Sequence, residues 1–370
     1  MFKERIFLFL LLILIVFLCV NFDLPRSFFI KVRGDFKHPL YNYSPYIKGV
    51  YLTSWTAGSS QKIDYFLKLI KQTELNAVII DIKEVDGKIA FNTESSLINE
   101  IGTERILIPN PKELIEKFHQ ENVYVIARIV VFKDQALPKI KPELALKDYQ
   151  GKLWRDWSGR TWLDPASKEV WNYHIELAKE AIKVGFDEIN FDYIRFPSDG
   201  DISQIAYPIR DKKMSKPEII RSFFEYLNQE LKPLGVFLSI DLFGLTLWHE
   251  NNNDMNIGQI LEYAIPYFDF VCPMVYPSHY PNDFEGYKNP ADNPYEIIKM
   301  NLEKGKMRMT DTKAKLRPWL QDFSLGAIYD KKMVELEKQA VYDTDSYGWL
   351  LWNPSNRYTE DALERKLLDI

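Results

Sequence analysis

The stretch Gly185-Phe-Asp-Glu-Ile-Asn-Phe-Asp192-Tyr-Ile-Arg195-Phe-Pro197 decides the fold. Before it, Trp171, His174, Ile175, Ala178 and Ile182 recur at helical spacing, so an amphipathic helix runs into Gly185. A short strand follows and ends by presenting Asp192, Tyr193 and Arg195. Helix, glycine, strand and polar exit make the repeating unit of an α/β barrel. Its active site lies at the C-terminal strand ends, because the βα loops build it there.

Strand-like runs recur along the chain at 48–55, 77–84, 123–132, 188–196, 236–244, 268–276, 316–323 and 347–352. Several are near-continuously apolar, as strands buried on both faces should be. Helical stripes lie between them, for example Ile63, Phe66, Leu67 and Ile70, or Ile220, Phe223, Leu227 and Leu231. This alternation predicts the α/β class and a single (β/α)8 TIM barrel over 47–370. Segments 133–166, 197–216 and 277–294 are too long for plain helices. They follow strands directly, which predicts long βα loops on the catalytic face. A Gly-rich phosphate signature after a strand is missing, which weakens a dinucleotide-binding reading.

Length and composition agree with one barrel plus insertions: 370 residues, 46% of them hydrophobic and 14% aromatic. A net charge of −5 gives no electrostatic case for nucleic acid. Cys19 lies in the N-terminal apolar run, so Cys272 has no partner for an internal disulfide. Lys3 and Arg5 precede that run, at 6–20. It is shorter than the roughly 20 residues of a spanning helix and long enough for a signal-peptide core. No small-x-small cleavage site follows it (Asn21-Phe22-Asp23-Leu24-Pro25), and the bulky Val16, Phe17 and Leu18 before Cys19 speak against a lipoprotein signal. The expectation is a signal anchor or signal peptide over 1–22 and a tether over 23–46. The barrel would then be exported, held at the membrane through the N-terminal segment, or secreted if the signal is cleaved. An N-terminal core helix is the alternative.

The strand ends collect polar groups that a barrel core would not want. They are Trp55 beside Thr53 and Ser54; Asp81, Lys83 and Glu84; Arg128; Asp192, Tyr193 and Arg195; Asp241, with Trp248 beyond it; Tyr276 and His279; Asp322; and Trp352 with Asn353. Carboxylates buried near one another are costly to hold unless a ligand or reaction uses them. Structural readings stand beside this one. Asp81 could pair with Lys83 or Arg128 as filling, Asp322 could cap a helix, and Asp241 could simply partner Arg195. His174 reads as core, and Glu188 as lying at the barrel's bottom.

Glycoside cleavage needs one carboxylate as nucleophile or base and another as proton donor. Asp192 and Asp241, on consecutive strands, are the candidate catalytic pair, with retention of configuration as the expected course. Arg195 is expected to hold Asp192 ionised. The walls Phe243, Leu245 and Trp248 are expected to raise the pKa of Asp241. Trp55, Trp248 and Trp352 offer flat faces for sugar rings, while Trp171, Trp319 and Trp349 read as core. The other strand-end residues named above are candidate substrate contacts.

Six motifs carry a resemblance: Lys48-Gly-Val-Tyr-Leu-Thr53, Val78-Ile-Ile-Asp81-Ile-Lys83, the Gly185–Pro197 stretch, Cys272-Pro-Met-Val-Tyr-Pro-Ser-His-Tyr280, Leu316-Arg-Pro-Trp-Leu-Gln-Asp322 and Gly348-Trp-Leu-Leu-Trp-Asn-Pro354. Over 47–357 the chain resembles the "putative glycoside hydrolase domain" family, a bacterial group of barrels distantly similar to α-amylase-type barrels. The resemblance implies a TIM barrel, carbohydrate hydrolysis, and Asp192 in the nucleophile position. It also marks a departure. α-Amylase-like enzymes carry a Glu acid on the fifth strand, where Asp241 stands here, so Glu84 and Asp322 are rival proton donors. The expected function is hydrolysis of a polysaccharide or cell-envelope glycan, without cofactor or metal. An inactive carbohydrate-binding barrel is a second class. A metal-dependent hydrolase would place several His at strand ends, where His279 and His249 alone approach one.

Overall fold

In the computed structural model, residues 47–250 and 253–366 are described; the expected N-terminal segment (1–22) and tether (23–46) lie outside them. The barrel strands are β1 (Ile47–Leu52), β2 (Ala77–Lys83), β3 (Tyr124–Val130), β4 (Glu188–Asp192), β5 (Phe237–Phe243), β6 (Phe270–Met274), β7 (Trp319–Gln321) and β8 (Gly348–Trp352). Each pairs in parallel with the next. The ring closes where Met274 of β6 meets Trp319 of β7 and Ile47 of β1 meets Gly348 of β8. This is the expected (β/α)8 barrel.

The long helices are α1 (Ser60–Gln72), α2 (Pro111–Gln120), α3 (Lys168–Val184), α4 (Lys216–Leu231), α5 (Pro294–Arg308) and α6 (Lys331–Asp343). The stripes read from the sequence face inward: Ile63, Phe66 and Ile70 of α1 are buried, as are Trp171, His174, Ile175 and Ala178 of α3. Ser167 caps α3 by accepting from the Val170 N–H. Gly185, at φ 113°, takes the left-handed turn that ends it.

The strands stop earlier than the apolar runs suggested. β4 ends at Asp192 because Tyr193 adopts φ 53°, a left-handed conformation that a pleated strand cannot continue. The seventh strand comes in two pieces, Lys315–Leu316 and then β7. Pro318 sits between them, has no N–H to give the ladder, and breaks it.

Side chains alternate across a strand, so residues two apart share the barrel interior. On β4 this face carries Glu188, Asn190 and Asp192. The lowest layer holds a fully buried ion pair, Glu188 with Arg317, joined by the Tyr124 hydroxyl 3.1 Å from Glu188 Oε2. Arg317 also lies over the Phe270 ring at 4.2 Å. The middle layer links Asn190 to Ser239 and Asp241.

Two further features shape the mouth. Lys147–Asp148, in the loop after β3, pairs antiparallel with Ile205–Ala206, in the loop after β4, so these long loops are tied together. The chain after β8 returns over β1. Asn356 Oδ1 accepts from the Thr53 N–H at 2.9 Å, Asn356 Nδ2 donates to the Tyr51 carbonyl at 3.0 Å, and the Tyr358 hydroxyl donates to that carbonyl at 2.5 Å.

Gly348 opens β8 at φ 89°, and a Cβ there would stand 1.9 Å from the Ile47 carbonyl oxygen. Gly348→Ala is therefore expected to destabilise the protein by about 2 kcal/mol or more through strain at the closure. Urea unfolding checks this; an unchanged midpoint would show that the seam relaxes freely.

Candidate active site

Four strand ends converge on one guanidinium. Arg128 of β3 donates to Asp81 of β2 at 2.5 Å and to Asp192 of β4, and its Nε lies 3.6 Å from Oδ2 of Asp241 on β5. Asp81, Asp192 and Asp241 are all buried. Burial works against the charge of Arg128, but the carboxylates of Asp81 and Asp192 outweigh it and hold its pKa above the ordinary value.

The three carboxylates differ in their partners. Asp192 accepts with both oxygens, Oδ1 from its neighbour's N–H (Tyr193, 2.5 Å) and Oδ2 from Arg128. That is the arrangement of an acceptor-only carboxylate. On Asp241, Oδ1 takes two donors, Trp319 Nε1 at 2.7 Å and Asn190 Nδ2 at 2.9 Å. Burial first, and then the charge of Asp192, push Asp241 up to about 8, against the opposing pull of Arg128. Since Oδ1 is occupied by donors, a proton on Asp241 belongs on Oδ2, the oxygen nearer Arg128. Asp81 is raised to about 6 by burial and by the nearby Glu84, with Arg128 and the Tyr51 hydroxyl (2.5 Å) opposing.

An aromatic wall rises beside the cluster. Trp352 lies 5.5 Å from Tyr276, 6.4 Å from Tyr51 and 5.1 Å from Phe323, between ring centroids. Tyr276 is buried, and burial followed by the charges of Asp241 and Asp192 raises its hydroxyl pKa. His279 stacks edge-on against Tyr276 at 5.2 Å and stands at the exposed rim. Glu84 lies at the rim too, accepting from Ser54 N–H at 3.1 Å and from its hydroxyl at 2.5 Å. Trp55 is largely exposed, with Arg105 over its ring at 5.2 Å.

Other expected contacts point elsewhere. Arg195 is not the cation on Asp192; that is Arg128. The turn at Tyr193 swings Arg195 onto the rings of Trp162 (5.1 Å) and Phe243 (4.5 Å), where it donates to the Phe196 carbonyl. Lys83 leaves the cluster because the β2–β3 register shifts between Asp81 and Lys83; it pairs with buried Asp134 at 2.7 Å. Trp248 turns to α5, donating to Asn301 at 2.7 Å and packing on Phe284. Asp322 anchors the returning chain through Thr359 N–H (2.8 Å) and hydroxyl (2.7 Å), and Asn353 donates to the Asp322 carbonyl. Tyr193 stands over Trp162 at 5.9 Å, one residue beyond Asp192.

Tyr51, Asn190 and the indole N–H of Trp319 belong to the cluster and were not singled out as site residues by sequence. Their signal was parity: each lies an even number of positions from an inward-facing strand residue. Among the described residues, no group of three or more His, Cys, Asp and Glu side chains is placed to hold a metal. Nor is any helix there long and apolar enough to cross a membrane.

A closed (β/α)8 barrel with buried carboxylates and an arginine gathered at its C-terminal strand ends defines a barrel of the glycosidase type. The chain belongs to the family described as "Putative glycosyl hydrolase domain", whose model matches residues 49–358. It is 42% identical to a hypothetical protein from Ruminiclostridium thermocellum ATCC 27405 over 52% of this chain and 96% of that one, with a TM-score of 0.48. The glycoside hydrolase domain of PgaB (BpsB) from Bordetella bronchiseptica is 14% identical, over 87% of this chain and all of that one, with a TM-score of 0.62. The C-terminal domain of a putative chitinase from Desulfitobacterium hafniense DCB-2 is 13% identical over 86% and 96%, with a TM-score of 0.54. These last two likenesses are of fold. No curated protein matches the sequence.

Proposed function

We propose that the protein cleaves O-glycosidic bonds of a polysaccharide or cell-envelope glycan, with Asp192 as nucleophile or base and Asp241 as proton donor. The supporting observation is the division of labour on one guanidinium. Asp192 accepts with both oxygens, while Asp241 holds its Oδ1 under two donors and has its pKa pushed up to about 8. A protonated acid beside an ionised carboxylate is what glycoside cleavage requires. Asp81, Glu84, Tyr276, Trp352 and His279 would then line the sugar site. Asp322, tied to Thr359, is the weaker rival for the acid; Glu84, at the rim, is the stronger. The apolar run at 6–20 supports an exported barrel anchored at the membrane or, with a cleaved signal, secreted.

The test is product release by the full chain from α- and β-linked polysaccharides and cell-wall material, followed as a function of pH. Asp241 donates a proton below its pKa and loses it above. So kcat/KM should fall as pH rises through about 8, and Asp241→Asn should be slow and lack that limb. An unaltered alkaline limb in Asp241→Asn would move the acid to Glu84. Glycan binding with no release at any pH would mark a carbohydrate-binding barrel instead. The anomer of the first product decides between retention and inversion.

A further inference from the structure

The loop after β3 carries a turn that displays a tryptophan to solvent. Trp157 is 79% exposed, whereas Trp154 and Trp162 on either side of it are buried. The turn is rigidly built. Asp156 Oδ1 accepts from Ser158 N–H (3.0 Å), the Ser158 hydroxyl (2.6 Å) and Arg160 N–H (2.9 Å). Its Oδ2 accepts from Trp162 Nε1 (3.1 Å) and pairs with Lys133 Nζ (2.7 Å). Burial opposes the charge, but these donors, Lys133 foremost, hold the Asp156 carboxyl down to about 2. Arg155 closes the turn by donating to the Gly159 carbonyl at 2.7 Å, with Gly159 at φ 74°.

The anchor leads to the site. Lys133 Nζ lies 5.4 Å from the rings of both Trp162 and Tyr193, and Tyr193 adjoins Asp192. The tie between the loops after β3 and β4 fixes the turn further, since Trp154 Nε1 donates to the Asp201 carbonyl at 2.9 Å. A large apolar side chain left in water on a stiff turn loses little entropy on binding, and its flat face suits the C–H face of a sugar ring.

We infer that Trp157 is a sugar-stacking platform outside the barrel mouth, so the substrate is a glycan polymer whose chain extends past Tyr193 rather than a single short glycoside. The inference rests on the hydrolase reading above for its ligand class. Trp55, which follows β1, is likewise exposed, with Arg105 over its ring at 5.2 Å.

Two measurements on the full chain test it, using amylose, cellulose, chitin and peptidoglycan with their short oligomers. In the first, kcat/KM on a cleaved polymer relative to its oligomer should fall about tenfold in Trp157→Ala and largely return in Trp157→Tyr. In the second, polymer retention by the Asp192→Asn chain should weaken when Trp157→Ala is added. A polymer-to-oligomer ratio equal to wild type, or retention unchanged by Trp157→Ala, overturns the inference. So does a failure of both proteins to retain any polymer. Retention that needs Trp157 without product release from any glycan would support the platform and sink the hydrolase reading alone.

Discussion

Asp192→Asn is expected to lower kcat/KM on a responsive glycan by on the order of 10³-fold or more, with the fold intact. The amide matches the carboxylate in shape and its oxygen can still accept from Arg128, at the loss of the single bond from the Tyr193 N–H. It removes the negative charge that would attack or activate water at the anomeric carbon. Arg128 still keeps its bond to Asp81, with the Asp241 carboxyl 3.6 Å away, so the barrel should not unravel. The variant carries a second signature. The charge of Asp192 is one of the forces raising Asp241, so removing it should let the Asp241 pKa fall. Residual activity should then lose its alkaline limb at a lower pH than wild type. Circular dichroism reports the fold, and initial rates across pH report the rest. A folded Asp192→Asn protein with wild-type rates would end the assignment.

Arg317→Ala should be the most destabilising single change in the barrel, costing about 3–5 kcal/mol. It leaves Glu188 fully buried with the Tyr124 hydroxyl in place of a guanidinium, among Phe270 and Cys272. Burying an unpaired carboxylate costs far more than the pair itself contributes, because both ions were already desolvated. Glu188→Leu combined with Arg317→Met should therefore recover most of the loss. Urea unfolding of the single and double variants makes the comparison. If the double variant is as unstable as Arg317→Ala, lost packing rather than an orphaned charge is responsible.

The barrel was legible because its strands are apolar on both faces and end in charged residues, and the residue at each end was largely readable. Direction was harder. In Glu188-Ile-Asn190-Phe-Asp192 the polar residues fall on alternate positions, so Asn190 was readable as an inward side chain from parity alone. The same parity misleads at Asp81 and Lys83. A local shift in strand pairing separates them, and nothing in their spacing announces it. Nearness in sequence points Arg195 at Asp192. The left-handed turn at Tyr193, which no composition reveals, sends it to Trp162 and hands the role to Arg128. Asp322 and Asn353 depend on where the chain goes after β8, a contact with Thr359 that local pattern cannot foresee.

The clasp of Asn356 and Tyr358 over Tyr51 has a consequence in time. It joins positions 305 and 307 residues apart. Tyr51 is also the residue whose hydroxyl steadies Asp81. During synthesis β1 can pair with β2 early, but it cannot be set against β8, nor Tyr51 locked, until residues 348–358 have followed. Contacts this distant are slow to form. The mouth around Asp81 is thus among the later parts of the barrel to mature, and a chain cut before residue 356 would carry its buried carboxylates without the clasp on Tyr51.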